Sequence, residues 1–454
     1  MPGRPFTLIG IPSLDLGPRW AERNDAPSLE ERWLFLLFAL RDPLARVAVV
    51  TSDRVSPDTV EYLLALAEVK PSDRLGLFAL DDSSRRPLAQ KLLARPDVLD
   101  AVRRFTAGGD AWILPFDATA GADQDVGRAL GVPVFGFGPR FAELGTKSGG
   151  RRLLRAAGLP LPAGEEDVHG VEEVRAAIRR LQASDPALRE VVVKLDRGVT
   201  GDGNAVVPVA DADAALAALP DEYRDLLADG CVVEELVRGD ATASPSVQVR
   251  VEAAGVVDVV ATHDQLLGGP LGQAYAGCQF PADAAYAEEL AAHGHSLGAH
   301  LRDLGAAGRF AVDFVAARYG GVGWLLRAVE VNLREGATTH PHGALALLTG
   351  GRYDAASGRF VTAAGAERRL RATDSLRAAR PVAWPLVRHE LRRRGLEWDR
   401  ARERGVICLM QRAVEREGRL SAIAIAESRE ACDELMGQTA IALAAASSDV
   451  AVAV

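Results

Sequence analysis

The chain lacks the features that would place it in several large classes at once. Its 454 residues include four cysteines, Cys231, Cys278, Cys408 and Cys432, with no CxxC pair, so neither a zinc site nor a disulfide framework is indicated. Basic charge is not in excess: 53 Lys and Arg stand against 62 Asp and Glu, a net charge of -9, which argues against a general nucleic-acid binder. No apolar run is long enough to span a bilayer, and WLFLLFAL at 33–40 reads as a buried helix. No signal peptide is read at the N-terminus, so a cytoplasmic protein without a membrane partner is expected. Internal repeats and low-complexity linkers are also missing. The remaining balance, 48% hydrophobic and 25% charged, is that of a folded chain long enough for two to four domains.

Two phosphate-binding fingerprints are absent as well. Over the first 140 or so residues, apolar segments at 6–11, 45–52, 74–80, 111–116 and 132–138 alternate with helical patterns at 28–40, 58–68, 87–104 and 122–130. Such alternation predicts a parallel, doubly wound sheet covered on both faces. No Gly-x-Gly-x-x-Gly turn joins a strand to a helix there, so the lobe is read as structural and not as a dinucleotide binder. At 145–148, Gly-Thr-Lys-Ser resembles the end of a Walker A loop, but Arg140 occupies the position of its first glycine.

Oxygen ligands and lysines are what the sequence does contain. Lys147 opens a short helix, about 146–157, that stops at Gly158 ahead of Pro160 and Pro162. Lys194 ends an apolar strand, where a lone ammonium is costly unless an anion meets it. After it comes a hairpin with Gly198, Gly201 and Gly203, whose backbone N–H groups, with Thr200 and Asn204, suit a phosphate. That hairpin also reads as a flexible turn, and Lys147 as a surface charge. Between Gly308 and His342 two strands are expected, the first carrying Asp313 and the second Glu330, Asn332 and Arg334 on one face. On hard-ligand chemistry these oxygens suit Mg with a nucleotide; a solvated strand face explains the same pattern. His293, His295 and His300 mark a polar helix face, since no acidic partner accompanies them. Loops are expected at 350–380, strands at 406–414 and 419–427, and helices at 384–394 and 428–445.

Taken in order, Lys147 before its Gly-Leu-Pro-Leu-Pro stop, Val-Val-Lys194 with its glycine hairpin, Val-Val-Glu234-Glu235, and Asp313 followed by Glu330-Val-Asn332-Leu-Arg334 resemble the ATP-grasp superfamily over about 140–345. IPSLD (11–15), LEERWLFLLFALRDP (29–43), GTKSGGRRLL, HDQLLGGPLGQAYAGCQFP (263–281) and the 405–426 segment are similar to the pheganomycin-type peptide ligases. The resemblance implies a multi-lobed α/β and α+β fold. A pre-ATP-grasp domain would span 1–140. An ATP-grasp domain would span 141–355, with a nucleotide lid at about 160–240 and a Mg-binding core at about 241–355. A small α+β domain would occupy 370–454.

The resemblance also assigns roles. Lys147 and Lys194 would hold the phosphates of ATP under the 198–204 hairpin. Glu234 would read the adenine amino group, with the backbone of Glu235 to Val237 completing that edge. Asp240 would take the ribose, in place of the glutamate that many ATP-grasp enzymes carry two residues after the hinge glycine. Asp313, Glu330 and Asn332 would bind two Mg ions, with Arg334 and Lys194 catalytic at the transferred phosphate. His263, Gln265, Tyr275, Arg309 and His340 would line the substrate pocket, although His340 and His342 serve equally well as caps of the following helix. The implied reaction joins a carboxylate, through an acyl phosphate, to the amine of a peptide or amino acid. Other readings are a ligase making a dipeptide or another small amide, phosphotransfer, and a nucleotide-binding module without catalysis. The oligomeric state is not read, and a homodimer is one option.

Overall fold

Alternating apolar strands and helices build the first part of the chain as expected. In the computed structural model, which describes residues 4–15, 25–198, 203–268, 274–321 and 323–448, four strands form a parallel sheet in the order β3-β2-β1-β4. They are β1 (Phe6–Ile11), β2 (Ala45–Thr51), β3 (Leu75–Ala79) and β4 (Asp110–Pro115). Ile9, Ile11, Val50 and Ile113 pack there against Leu88, Leu92, Val102 and Val126 of the covering helices. The strand expected at 132–138 is reduced to one parallel bridge, Ile113 to Val134. Pro133 has no N–H to donate, and Gly136 and Pro139 interrupt the rest. Proline also cuts the helix expected at 87–104 into Leu88–Leu93 and Pro96–Thr106. The 33–40 run is buried as expected, in a 3₁₀ helix, Glu31–Arg41, that follows a short α-helix, Ala26–Glu30.

The chain divides into two bodies. One comprises Pro139–Tyr275 and Ala282–Leu333; the other comprises Met1–Gly138, Ala276–Pro281 and Arg334–Val454. The first of these holds two antiparallel sheets. One has the order β5-β8-β6-β7, from β5 (Gly164–Val168), β6 (Glu190–Leu195), β7 (Asn204–Pro208) and β8 (Cys231–Glu235). Alternate residues Val191, Val193, Val207, Cys231 and Val233 pack on Val174 and Ile178 of the helix Gly170–Ser184. The other sheet comes from β9 (Ala241–Val251), β10 (Val257–Gly268), β12 (Gly308–Arg318) and β13 (Trp324–Asn332), with β11 (Ala274–Phe280) intervening in sequence. Here β12 lies between β13 and β9, and β10 flanks β9. The helix Ala287–Asp303 lies close on one face, because a side chain at Gly294 or Gly298 would collide with Val247 or Val257.

In the other body β11 pairs with β16 (Arg369–Arg377), which follows the small hairpin of β14 (Arg352–Asp354) and β15 (Arg359–Val361). β17 (Gly405–Leu409) and β18 (Arg419–Ala426) complete the order β11-β16-β18-β17. Two expectations are corrected here. The 350–380 stretch contains a nine-residue strand instead of loops alone. The expected strand 406–414 stops at Leu409, and Met410, at a φ of 58°, starts the helix Gln411–Glu417. Long-range polar contacts hold this body together. Tyr62 Oη accepts from Cys408 N at 3.0 Å, and Arg412 N donates to Glu31 at 3.0 Å. Arg32, His340 and Ser421 surround Asp374.

Glu30 and Glu31 are buried side by side in this body, and burial pushes each carboxyl up to about 7. A folded value above the unfolded one, about 4.3, gives stability that is present at low pH and lost as pH rises through about 7. Urea unfolding at pH 5 and pH 8 should therefore show a smaller pH-dependent loss in Glu30→Gln than in the parent chain.

Candidate active site

Register brings the predicted oxygen ligands together. Across the second sheet of the Pro139–Leu333 body, Glu330, Asp313, Ser246 and His263 are successive Cα partners, and Asn332, Ala311 and Gln248 form the next row. Directly paired residues share a face. The opposite face holds Val247, Val249 and Phe310, so the apolar side meets the helix Ala287–Asp303 and the polar side is left for chemistry. Asp313 is held by two amides: Gln265 Nε2 donates to Oδ1 at 2.9 Å and Asn332 Nδ2 to Oδ2 at 3.0 Å. Lys147 Nζ donates to Glu330 Oε1 at 2.6 Å and to Gly198 O at 3.1 Å. The carboxylates, the asparagine, the first lysine and Gly198 thus meet in one place.

Lys147 is positioned by the start of its helix, Lys147–Ala156. Thr146 caps it by accepting from Gly149 N at 2.9 Å, and Asp196 Oδ1 accepts from Ser148 N and Oγ at 2.9 and 2.7 Å. A Cβ on Gly149 would sit 1.7 Å from Glu143 O. Gly149→Ala should therefore displace the capped turn, lower stability by about 1–3 kcal/mol and weaken nucleotide binding through Lys147. Thermal unfolding and an ADP titration of the same preparation check both effects.

Lys194 arrives from β6. It is 8% exposed, forms an ion pair with Glu234 and donates to Val329 O at 3.2 Å. That carbonyl belongs to a bulge: Asp313 pairs with Glu330 but Phe314 pairs with Ala328, which leaves Val329 as the extra residue of β13. Glu234 corrects the sequence reading. Its carboxylate is 3% exposed and lies between Lys194 and Arg151, whose Nη1 donates to Oε2 at 2.8 Å, so it orients a lysine and does not face an adenine. Glu235 Oε1 accepts from Ala163 N at 3.0 Å, and Val237 follows half-buried beyond β8. Asp240 is exposed and accepts from Gly320 N at 2.7 Å, bracing the turn between β12 and β13. Asn204 stands directly across from Lys194, and Gly203 O accepts from Leu195 N. Thr200 and Gly201 lie outside the described residues.

The substrate residues separate. Gln265 and the half-buried Arg309 lie on the polar face, and Tyr275 is half-buried on β11. His263 is fully enclosed, and burial lowers its pKa to about 3, so it is a neutral core imidazole beyond a substrate's reach. His340, 2% exposed, lies 3.3 Å from Asp374 in the other body and is likewise removed from the substrate set. His340 and His342 both lie inside the helix Thr339–Thr349, whose N-cap is Thr338, so neither caps it. Arg334 begins that other body, two residues past Asn332, with its guanidinium 5.2 Å from the Phe116 ring centre. Arg151 and Asp196 escaped the sequence reading. Arg151 stands four residues after Lys147, so a shared helix face was the available signal.

An ATP-grasp family model of IQCH-like type matches residues 139–225, the part carrying Lys147 and Lys194. IQ motif-containing protein H of Danio rerio is 27% identical over 224 residues, which is 45% of this chain and 21% of that protein. The L-propargylglycine–L-glutamate ligase of Streptantibioticus cattleyicolor is 36% identical over 334 residues, 68% of this chain and 67% of that enzyme. The chain belongs to the ATP-grasp superfamily. Within it the chain groups with the pheganomycin-type ligases and is an ATP-dependent carbon–nitrogen ligase, joining a carboxylate to an amine. The ATP-grasp fold extends over the chain. A biotin carboxylase from Campylobacter jejuni aligns with a TM-score of 0.59 at 13% identity, covering 95% of this chain and 89% of its own. An N5-carboxyaminoimidazole ribonucleotide synthetase aligns at 0.55 and 15%, covering 97% of each. No helix among the described residues of this ATP-grasp ligase is long and apolar enough to cross a membrane.

Proposed function

We propose that this ligase activates an amino-acid-like acid as an acyl phosphate and transfers the acyl group to the amine of a peptide or amino acid, in peptide natural-product assembly in the cytoplasm. The observation that carries the reading is the convergence of Lys147 with Glu330, and of Lys194 with the Val329 bulge, beside the Asp313–Asn332 pair. The substrate carboxylate attacks the γ-phosphorus of ATP, the bond to ADP breaks, and the amine then displaces phosphate with loss of a proton. Lys147 and Lys194 spread the phosphate charge, and Arg334 meets the acyl phosphate. Gly198, Gly203 and Asn204 lie on the nucleotide's side of the lid and help keep water from the activated acid.

Asp313, Glu330 and Asn332 fit Mg by donor chemistry: two carboxylates and an amide oxygen, with phosphates expected to complete the shell. Bound Mg, as two ions, would neutralise the charge developing on the phosphates. The same proposal keeps a nucleotide lid at about 160–240, a core at about 241–355 and a C-terminal α+β domain at 370–454. The named relative makes a small amino acid paired with glutamate the first combination to try. The test is ADP release together with a product of the summed mass less water, across a panel of acids and of amines including short peptides. ADP release without an amide product in any combination would sink the reading.

A further inference from the structure

Arg151 is the least exposed arginine around the lysines, at 6%, and each of its donor positions is engaged. Nη1 donates to Glu234 Oε2 at 2.8 Å, Nε to Glu166 Oε2 at 3.0 Å and Nη2 to Pro162 O at 2.5 Å. Glu166 is already held by Arg155, whose Nη2 donates to Oε2 at 2.8 Å. Glu234 therefore lies between two cations, Arg151 on one oxygen and Lys194 on the other. Removing Arg151 would leave Glu234 and Lys194 as a closed, neutral pair, with Lys194 drawn onto the carboxylate and away from any other anion.

We infer that Arg151 is a positioning residue: by neutralising Glu234 from behind, it keeps the charge of Lys194 available to the phosphates of the nucleotide. The inference rests on the proposed phosphate role of Lys194. The arithmetic is simple. Arg151, Glu234 and Lys194 sum to one positive charge, Arg151→Met reduces the sum to zero, and Arg151→Met with Glu234→Gln restores it. A packing role predicts the reverse order, since the double variant loses more native contacts than the single one.

ADP and adenosine are titrated calorimetrically into the parent chain, Arg151→Lys, Arg151→Met, the double variant and Lys194→Met, each checked for a cooperative unfolding transition. Arg151→Met should lose roughly tenfold in ADP affinity, the scale of one charge-assisted hydrogen bond, with adenosine unchanged. The double variant should recover most of that loss, and Arg151→Lys should stay near the parent. Equal losses for ADP and adenosine, or no recovery in the double variant, overturn the inference. If Arg151→Met does not fold, the comparison of Arg151→Lys with the charge-restored double variant decides, because near-parent ADP binding in both is required. Unchanged ADP affinity in Lys194→Met would fail the phosphate role itself. A loss there without one in Arg151→Met fails the Arg151 inference alone.

Discussion

Glu330→Gln is expected to reduce amide formation by roughly a hundredfold or more, the scale for losing a group that stabilises developing charge. Glu330 stands directly across from Asp313 and holds Lys147 at 2.6 Å, so one substitution removes a proposed Mg ligand and the lysine's counter-charge together. Glutamine keeps the length of the side chain and an oxygen donor while losing the negative charge, so the loss should be electrostatic. The checkable pattern is a fall in kcat accompanied by a higher Mg requirement, with the melting temperature nearly unchanged. Full ligation by Glu330→Gln would remove this glutamate from the site.

Asp374→Asn should be the most damaging single change to stability, at about 3–5 kcal/mol, the range for breaking a buried charge pair. Arg32 Nη2 lies 2.5 Å from Asp374 Oδ2, His340 Nε2 lies 3.3 Å from Oδ1, and Ser421 Oγ donates to Oδ1 at 2.5 Å. Burial alone would raise the Asp374 pKa, but Arg32, His340 and Ser421 together hold it well below the carboxylate range. A depressed folded value gives stability that is present above the unfolded value, about 3.9, and lost as pH falls. The gap between parent and variant should therefore be full near neutrality and should shrink in acid, as read from urea unfolding at pH 7 and pH 3.

Much of the site could be read from order and period along the chain. A period of two put Glu330 and Asn332 on one face, and register supplied Asp313 opposite. The start of a helix gave Lys147 and the end of an apolar strand gave Lys194, because both features are local. What stayed hidden depends on partners far away in sequence. Glu234 looked like a polar hinge residue until Arg151, 83 positions earlier, closed on it. His263 and His340 looked like binding groups because exposure is not a local property. In β16, Arg369, Arg371 and Thr373 alternate with Leu370 and Ala372, a half-buried strand pattern obscured by an arginine-rich composition. The chain reversal at Met410 left no proline or glycine to mark it.

The contact between Lys147 and Glu330 has a thermodynamic consequence. The lysine pairs with the glutamate that a metal would need, and the glutamate pairs with the lysine that a phosphate would need. An ion arriving alone must displace an ammonium, and a nucleotide arriving alone must draw that ammonium from its carboxylate. Arriving together, each frees the partner the other requires. Occupancy by one should raise affinity for the other by the same factor in both directions. The enzyme would then hold neither free Mg nor metal-free ATP firmly, and would commit only to the pair.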